Sequence, residues 1–318
     1  MRVVFVGSGP FGLPALDLLA AAPLGLELVR VVTRPDRPRR RGGALAPVPV
    51  RARALELGLP CDAPASINLP EYAECLRRLE PDLAIVADYG EFISREVRSA
   101  PKIGIFNLHA SLLPKYRGAA PVAHAILAGE LVTGVTLFRV EARLDAGPIV
   151  DAAAIEIRPE ETAGELEARL SRLAAELLGR NLEPLGRGSF REVPQDERLA
   201  SFAPKLTKDA ARIDWDAEPR RLADFVRALN PWPAAWSCLC AGGRRERTIF
   251  LRVRPGPPAE GPGGAPGVVA EVRKDGFRVS CRGGTVEVLE IQREGGTALD
   301  AAAYLRGRAL KLGDRFAA

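Results

Sequence analysis

Short apolar blocks and polar stretches with helical spacing alternate through the first half of this chain. Residues 2–7 form an apolar run ending in glycine, residues 14–22 repeat apolar positions at helical spacing, and residues 26–33 are again apolar and β-branched. The pattern predicts strand, helix, strand. It predicts further strands over 82–87, 104–109 and 134–140, separated by helical stretches such as 71–78 and 121–127. Strands alternating with helices imply a mostly parallel sheet covered on both faces, an α/β domain of Rossmann-like type. Leucines and alanines at helical spacing over 161–182 close this unit, and the polar stretch 186–202, with Gly, Pro and Ser, reads as a linker.

The pattern changes beyond the linker. A helical segment over 219–229 and the rigid Asn230-Pro231-Trp232-Pro233 precede short β-like runs at 248–253, 267–272, 276–280 and 285–291, with a Pro- and Gly-dense loop over 254–266. Short strands between Gly-rich turns predict a small all-β unit, a barrel of OB-like type or a sandwich. The expected division is 1–187, a linker 188–204, and 205–318.

Composition is that of an ordinary globular chain, 47% hydrophobic and 27% charged over 318 residues. The apolar start meets Gly7 and Pro10 too soon for a secretory segment, and no later run approaches the roughly 18 residues of a spanning helix, so a cytoplasmic protein with no membrane contact is expected. Five cysteines, odd in number and irregular in spacing, fit reduced thiols. Cys238-x-Cys240 has only the distant Cys281 and no nearby histidine to complete a ligand set, so no metal is expected. The formal charge of +5 is unevenly placed, since residues 205–318 hold 20 Lys/Arg against 14 Asp/Glu and the rest 25 against 26. A solvated surface accounts for that excess, and so does a polyanionic partner such as a nucleic acid.

Candidate chemistry concentrates in one window. The chain has two histidines, His109 and His124, and His109 stands two residues after Asn107 at the end of a predicted parallel strand. Residues i and i+2 of a strand project to one side, roughly 6.5 to 7 Å apart, and the carboxyl edge of an open α/β sheet is where ligands bind. A buried histidine satisfied by a neighbouring amide is the plainer reading, but the following loop 111–121, with prolines, a glycine and two cations, is longer than a simple connection needs. His124 has no such surroundings and is read as structural. A rival site is Gly7-Ser8-Gly9-Pro10-Phe11-Gly12, which fits the dinucleotide fingerprint, with Arg34 placed to meet a 2′-phosphate. The expected acidic residue is missing there and Pro10 removes an amide from the turn, so a tight strand-to-helix turn is the alternative.

Asn107-Leu108-His109-Ala110-Ser111-Leu112-Leu113-Pro114 with Arg117-Gly118, followed by Leu144-Asp145-Ala146-Gly147-Pro148-Ile149, resembles the folate-dependent formyltransferase family. Ala203-Pro204-Lys205-Leu206-Thr207-Lys208, Ile213-Asp214-Trp215, residues 227–233 and the tail 304–316 are similar to the branch that formylates an aminoacyl-tRNA, and the likeness runs nearly end to end. The resemblance implies transfer of a formyl group from 10-formyltetrahydrofolate to the α-amino group of methionyl-initiator-tRNA, by a monomer without a metal. It implies Asn107, His109 and Asp145 as catalytic residues. It lines the folate pocket with Asp88, Tyr89, Gly90, Ser111, Leu112, Leu113 and Pro114, and places Arg37, Arg39, Arg40 and Arg41, with Lys205 and Lys208, against tRNA. The chain departs from the family pattern at Gly9, where proline is usual, at Asp88, where alanine is usual, and at Arg143, where glycine is common. A formyltransferase acting on a nucleotide-sugar amine would share the trio, but a small sugar substrate does not require a basic C-terminal module; an NADP-binding oxidoreductase using the glycine motif and a catalytically silent RNA-binding protein are the alternatives from other classes.

Overall fold

The computed structural model describes the whole chain except residues 39–42, 242–243, 258–263, 309 and 318. It separates into two compact units: Met1–Pro121, Val132–Glu156 and Glu167–Pro204 form the first, and Val122–Leu131, Ile157–Leu166 and Lys205–Ala318 the second.

The first unit is built on a seven-stranded sheet. In chain order its elements are β1 (Arg2–Gly7), α1 (Leu13–Ala20), β2 (Glu27–Val32), a small hairpin of β3 (Arg37–Pro38) and β4 (Leu45–Ala46), α2 (Pro49–Glu56), β5 (Cys61–Asp62), α3 (Pro70–Arg78), β6 (Leu83–Ala87), α4 (Arg95–Arg98), β7 (Gly104–His109) and β8 (Arg117–Gly118). After α5 (Pro121–Leu127), which from Val122 on belongs to the second unit, come β9 (Val132–Arg139), β10 (Ile149–Glu156), α6 (Ala163–Gly186), part of this unit from Glu167 on, and β11 (Phe202–Ala203). The sheet order is β10-β9-β7-β6-β1-β2-β5. The central strands β1 and β6 are almost continuously buried because both faces are covered, which is why they read as unbroken apolar runs.

The expected mostly parallel sheet is present: its strands from β5 to β7 run parallel, and one edge runs antiparallel. β9 runs antiparallel to β7, pairing His109 with Thr136, and β10 runs antiparallel to β9. Gly129, with φ of 74°, turns the chain after α5, so β9 enters at the end where β7 leaves. β10 escapes the sequence reading because Ile149-Val-Asp-Ala-Ala-Ala-Ile-Glu is rich in alanine, a poor strand former. α2 is a second omission: Pro49 at its first turn is a start signal, but its mixture of Arg, Ala and Glu carries little amphipathic contrast.

The second unit holds α7 (Pro219–Ala228) and β12 (Ala235–Ala241), β13 (Arg244–Gly256), β14 (Val269–Val272), β15 (Phe277–Cys281), β16 (Gly284–Arg293), β17 (Ala298–Asp300), α8 (Ala301–Gly307) and β18 (Arg315–Ala317). Its antiparallel sheet runs β14-β15-β16-β13-β12-β18, with β17 on β16. The two end strands also meet: Val269 N–H donates to Asp314 O at 2.8 Å and Phe316 N–H to Gly267 O at 2.7 Å, which closes the sheet into a small barrel. At that closure Gly267 has φ of 86°, and a Cβ there would stand 2.2 Å from the Phe316 carbonyl oxygen. Trp215, Phe250, Phe277 and Phe316 fill the interior, with Phe250 edge-on to Phe316 at 5.1 Å between centroids. β12 was missed because its buried positions alternate through Ala, Ser and Leu, a faint period-two signal.

Candidate active site

β7 delivers Asn107 and His109 to the carboxyl edge of the parallel strands, the position expected of them. Asn107 is half-buried and His109 only 6% exposed. His109 Nε2 lies 2.9 Å from the Tyr116 carbonyl oxygen. A carbonyl only accepts, so Nε2 carries the hydrogen, and neutral His109 keeps its lone pair on Nδ1. Nδ1 is 3.8 Å from Asp145 Oδ2, beyond hydrogen-bond length but within range of an ion pair once the ring is protonated. The tautomer of the neutral ring is therefore set by the Tyr116 carbonyl, and Asp145 stands too far away to share in that bond. The ring also meets Phe138 edge-on at 6.3 Å, which fixes its plane.

Asp145 occupies a left-handed backbone position, φ 48°, rare for a residue with a side chain. Several bonds hold it there. Gly118 N–H donates to Asp145 Oδ2 at 2.8 Å, and Gln195 Nε2 donates to the carbonyl oxygens of Asp145 and Gly147, both at 2.8 Å. Gln195 is in turn clamped by Arg117, whose side chain is 1% exposed and donates to Gln195 Oε1 from Nε at 3.1 Å and from Nη2 at 2.7 Å. The same guanidinium reaches both oxygens of Glu197, at 3.1 and 2.9 Å, a forked geometry that arginine suits. Hydrogen bonding to Arg117 first, then to Arg143, lowers the Glu197 carboxyl to a pKa of about 2. Arg143, one of the departures from the family pattern, thus ties the Asp145 turn to Glu197 through a 2.7 Å bond.

These supporting residues were not anticipated. Gln195, Glu197 and Ser201 lie in the polar stretch read as a linker, yet Ser201 accepts from Tyr116 N–H at 2.9 Å and from Arg117 N–H at 2.9 Å. Only the unusual polarity of Pro194-Gln195-Asp196-Glu197 could have pointed to them. Thr136 was also missed. Fully buried opposite His109, it accepts from Leu113 N–H at 3.0 Å and donates to Ser111 O at 2.7 Å, fixing the loop expected to meet folate.

The other expected pocket residues gather at the same edge. Ser111 and Leu113 are buried and Leu112 and Pro114 half-buried; on the β6 side Asp88 and Gly90 are exposed and Tyr89 is buried. Asp88 has φ of 49° and its carboxyl is reached by solvent but walled by protein, so desolvation raises its pKa. Desolvation likewise raises the Tyr89 hydroxyl to about 12, with the Glu91 charge as a second cause. Gly9 and Asp88 belong together: a Cβ on Gly9 would lie 1.6 Å from Asp88 Oδ2. Among the expected RNA-contacting residues, Arg37 is exposed on β3, Lys205 and Lys208 are exposed in the second unit, and Arg39, Arg40 and Arg41 lie outside the described residues.

The dinucleotide reading does not survive the geometry. Ser8 and Gly9 both donate their N–H groups to the Asp88 carbonyl oxygen, at 3.0 and 3.2 Å, so neither faces outward to a phosphate. Arg34 is paired with Glu91, which also takes Ser66 and Asn68. Among the described residues no group of three or more His, Cys, Asp or Glu side chains is placed to hold a metal, and no helix is long and apolar enough to cross a membrane.

A histidine and an aspartate thus stand together at the carboxyl edge of an α/β sheet, beside a half-buried asparagine. The chain belongs to the formyl transferase family: residues 1–182 match the formyl transferase domain and 205–309 the formyl transferase C-terminal domain. Within it, the chain belongs with the methionyl-tRNA formyltransferases. It is 41% identical to that of Methylobacterium sp. (strain 4-46) over 317 residues, 100% of this chain and 99% of the relative. To that of Moorella thermoacetica it is 41% identical over 307 residues, 96% of each. Solved structures share the fold at low identity. One is HypX from Aquifex aeolicus in complex with tetrahydrofolic acid, with a TM-score of 0.64 and 19% identity, covering 100% of this chain and 51% of that one. Another is a Helicobacter canadensis N-formyltransferase in complex with folinic acid and dTDP-3-aminofucose, with a TM-score of 0.68 and 16% identity, covering 91% and 98%.

Proposed function

We propose that this chain transfers the formyl group of 10-formyltetrahydrofolate to the α-amino group of methionyl-initiator-tRNA, with Asn107, His109 and Asp145 as the catalytic residues. The observation that carries the reading is the His109–Asp145 pair at the sheet edge, in a chain alike to methionyl-tRNA formyltransferases over its whole length. The pocket residues fit a folate. Buried Leu113 with half-buried Leu112 and Pro114 offers an apolar wall to a flat ring, and the Asp88 carboxyl suits the amino and ring N–H groups of a pterin.

When bound, 10-formyltetrahydrofolate supplies the activated formyl carbon. The α-amine forms the new C–N bond to that carbon, the bond to the folate nitrogen breaks, and the amine's proton ends on that nitrogen. Asn107 supplies an amide N–H for the carbonyl oxygen on which charge gathers, a contact worth roughly 10² to 10³ in rate. His109 takes the proton on Nδ1, the nitrogen left free by the bond to Tyr116. Asp145, 3.8 Å from that atom, stabilises the imidazolium so formed.

We assign residues 1–187 to catalysis, 188–204 to a connecting segment whose Gln195 also supports the Asp145 turn, and 205–318 to holding tRNA, in a cytoplasmic monomer that needs no metal. The basic excess of 205–318 supports the last of these. Arg37, Arg39, Arg40, Arg41, Lys205 and Lys208 are the proposed phosphate contacts. The test is formylation of charged initiator tRNA from 10-formyltetrahydrofolate by wild type, Asn107→Ala and His109→Ala. Wild type forms product, Asn107→Ala slows by roughly 10² or more, and His109→Ala is near background. An inactive wild type, or variants at near-normal rates, overturns the assignment.

A further inference from the structure

Ser8, at the turn after β1, is buried and bonded to two separate loops. Its N–H, with that of Gly9, donates to the Asp88 carbonyl oxygen at the head of the loop 88–91. Its Oγ accepts from Arg34 N–H at 3.0 Å, where the chain leaves β2 for the basic hairpin. Its carbonyl oxygen accepts from Val50 N–H at 3.2 Å, where the chain leaves that hairpin for α2. Both ends of the segment 34–50 are therefore fastened to one residue. The described base of the hairpin is closed further by the pairing of Arg37 with Ala46 and by an Asp36–Arg51 ion pair at 3.2 Å. A second bridge runs from Arg34 to Glu91, which joins the hairpin's first residue directly to the loop 88–91.

We infer that Ser8 is a positioning residue that couples the folate loop to the basic hairpin, so that folate binding tightens tRNA binding. The inference rests on the functional reading above and adds a linkage to it. A folate that orders 88–91 fixes the Asp88 carbonyl oxygen, which fixes the Ser8 amide and, through Oγ and the carbonyl, both ends of the hairpin that carries Arg37. By linkage, whatever factor folate lends to tRNA affinity tRNA returns to folate affinity.

The test uses the full chain and two separable ligands, tetrahydrofolate, which cannot donate a formyl group, and uncharged initiator tRNA. The tRNA Kd is measured with and without saturating tetrahydrofolate for wild type, Ser8→Ala and Ser8→Thr. Wild type should show a coupling of about fivefold or more, the lower range of allosteric effects. Ser8→Ala, which loses the Oγ bond to Arg34 and keeps the two main-chain bonds, should show at least twofold less coupling than wild type, while Ser8→Thr, which keeps the hydroxyl, retains it. Should Ser8→Ala not fold, Asp36→Asn, which loosens the hairpin base without touching 88–91, should lower the coupling with tetrahydrofolate affinity alone unchanged. Equal coupling in wild type and Ser8→Ala, or a wild type that formylates tRNA and shows no coupling, overturns the inference and leaves the function standing. A wild type that binds neither ligand overturns both.

Discussion

Gln195 offers the sharpest test of how the Asp145 turn is held, because its amide does two separable things. Its nitrogen supports two carbonyls of the turn, and its oxygen receives the buried Arg117 guanidinium. Truncation to alanine removes two neutral hydrogen bonds worth about 1 kcal/mol each and a charge-assisted contact worth about 1.5–3 kcal/mol. Arg117 keeps Glu197, and Gln195 is only half-buried, so water replaces part of the loss. A net destabilisation of about 2–3 kcal/mol follows, or roughly 4–12 °C in Tm for a unit of this size. Gln195→Glu separates the roles: it keeps an acceptor for Arg117 but sets a carboxylate oxygen against two carbonyl oxygens. That variant should melt within about 3 °C of wild type, yet lose roughly 10- to 100-fold in kcat as Asp145 is pushed from His109 Nδ1. The KM for folate should stay within about threefold, since Asp88 and the Ser111–Thr136 contacts are untouched. Thermal melts and steady-state formylation read both axes. A Gln195→Glu enzyme with wild-type kcat refutes the claim that these bonds position Asp145.

Four further outcomes are expected. Gly9 has φ of −83°, which alanine adopts freely, and the nearest atoms a Cβ there would meet are those of the Asp88 carboxyl: Gly9→Ala should cost stability in wild type and gain roughly 0.4–1 kcal/mol in an Asp88→Ala background. Burial first, then the Asp88 charge, raises the Glu167 pKa, so its folded form resists ionising and stability is lost as pH rises from the unfolded carboxyl range through the folded pKa. Glu167→Gln should therefore raise Tm at pH 7 and have little effect near pH 4. Glu197 has the opposite sign: its lowered pKa contributes stability above the unfolded range that disappears between about pH 4.5 and 2, and Glu197→Gln should flatten that acid limb. Arg41→Ala should raise the KM for tRNA more than that for folate and reduce the salt slope of tRNA binding by about 0.7 to 0.9, and identical slopes would count against it.

The strands that carry the site were legible because they are buried on both faces and so read as plain apolar runs, β1 and β6 above all. Asn107 and His109 were legible through their spacing, which any strand converts into a shared face. The residues that hold Asp145 were not. Gln195 and Gly118 meet it across 50 and 27 positions of sequence, and no local period links a polar linker to a loop before α5. The antiparallel edge was hidden for a related reason: the direction of β9 is decided by the turn at Gly129, whereas its apolar pattern is the same in either direction. The barrel's closure, likewise, is a pairing between Gly267 and Phe316, which stand far apart in the sequence of their domain.

The three departures from the family pattern resolve into two local exchanges. Asp88 places a carboxylate where a side chain on residue 9 would stand, and glycine at 9 makes the room; each is tolerable because of the other. Arg143 adds a second cation to Glu197, whose first partner is the buried Arg117, and so strengthens the clamp on the turn that bears Asp145. Neither exchange removes a group from the His109–Asp145 pair. What they do change is the charge at the pocket's edge: Asp88 brings a carboxyl into the loop proposed to meet folate, close enough to Glu167 for its charge to raise the Glu167 pKa beyond what burial does. A pterin that donates its N–H groups to Asp88 would favour the ionised form, so folate binding should release a proton near the raised pKa. Tetrahydrofolate affinity in wild type should therefore rise with pH through that pKa and level off above it, and the slope should vanish in Asp88→Ala. A pH-independent affinity in wild type would remove Asp88 from the binding site.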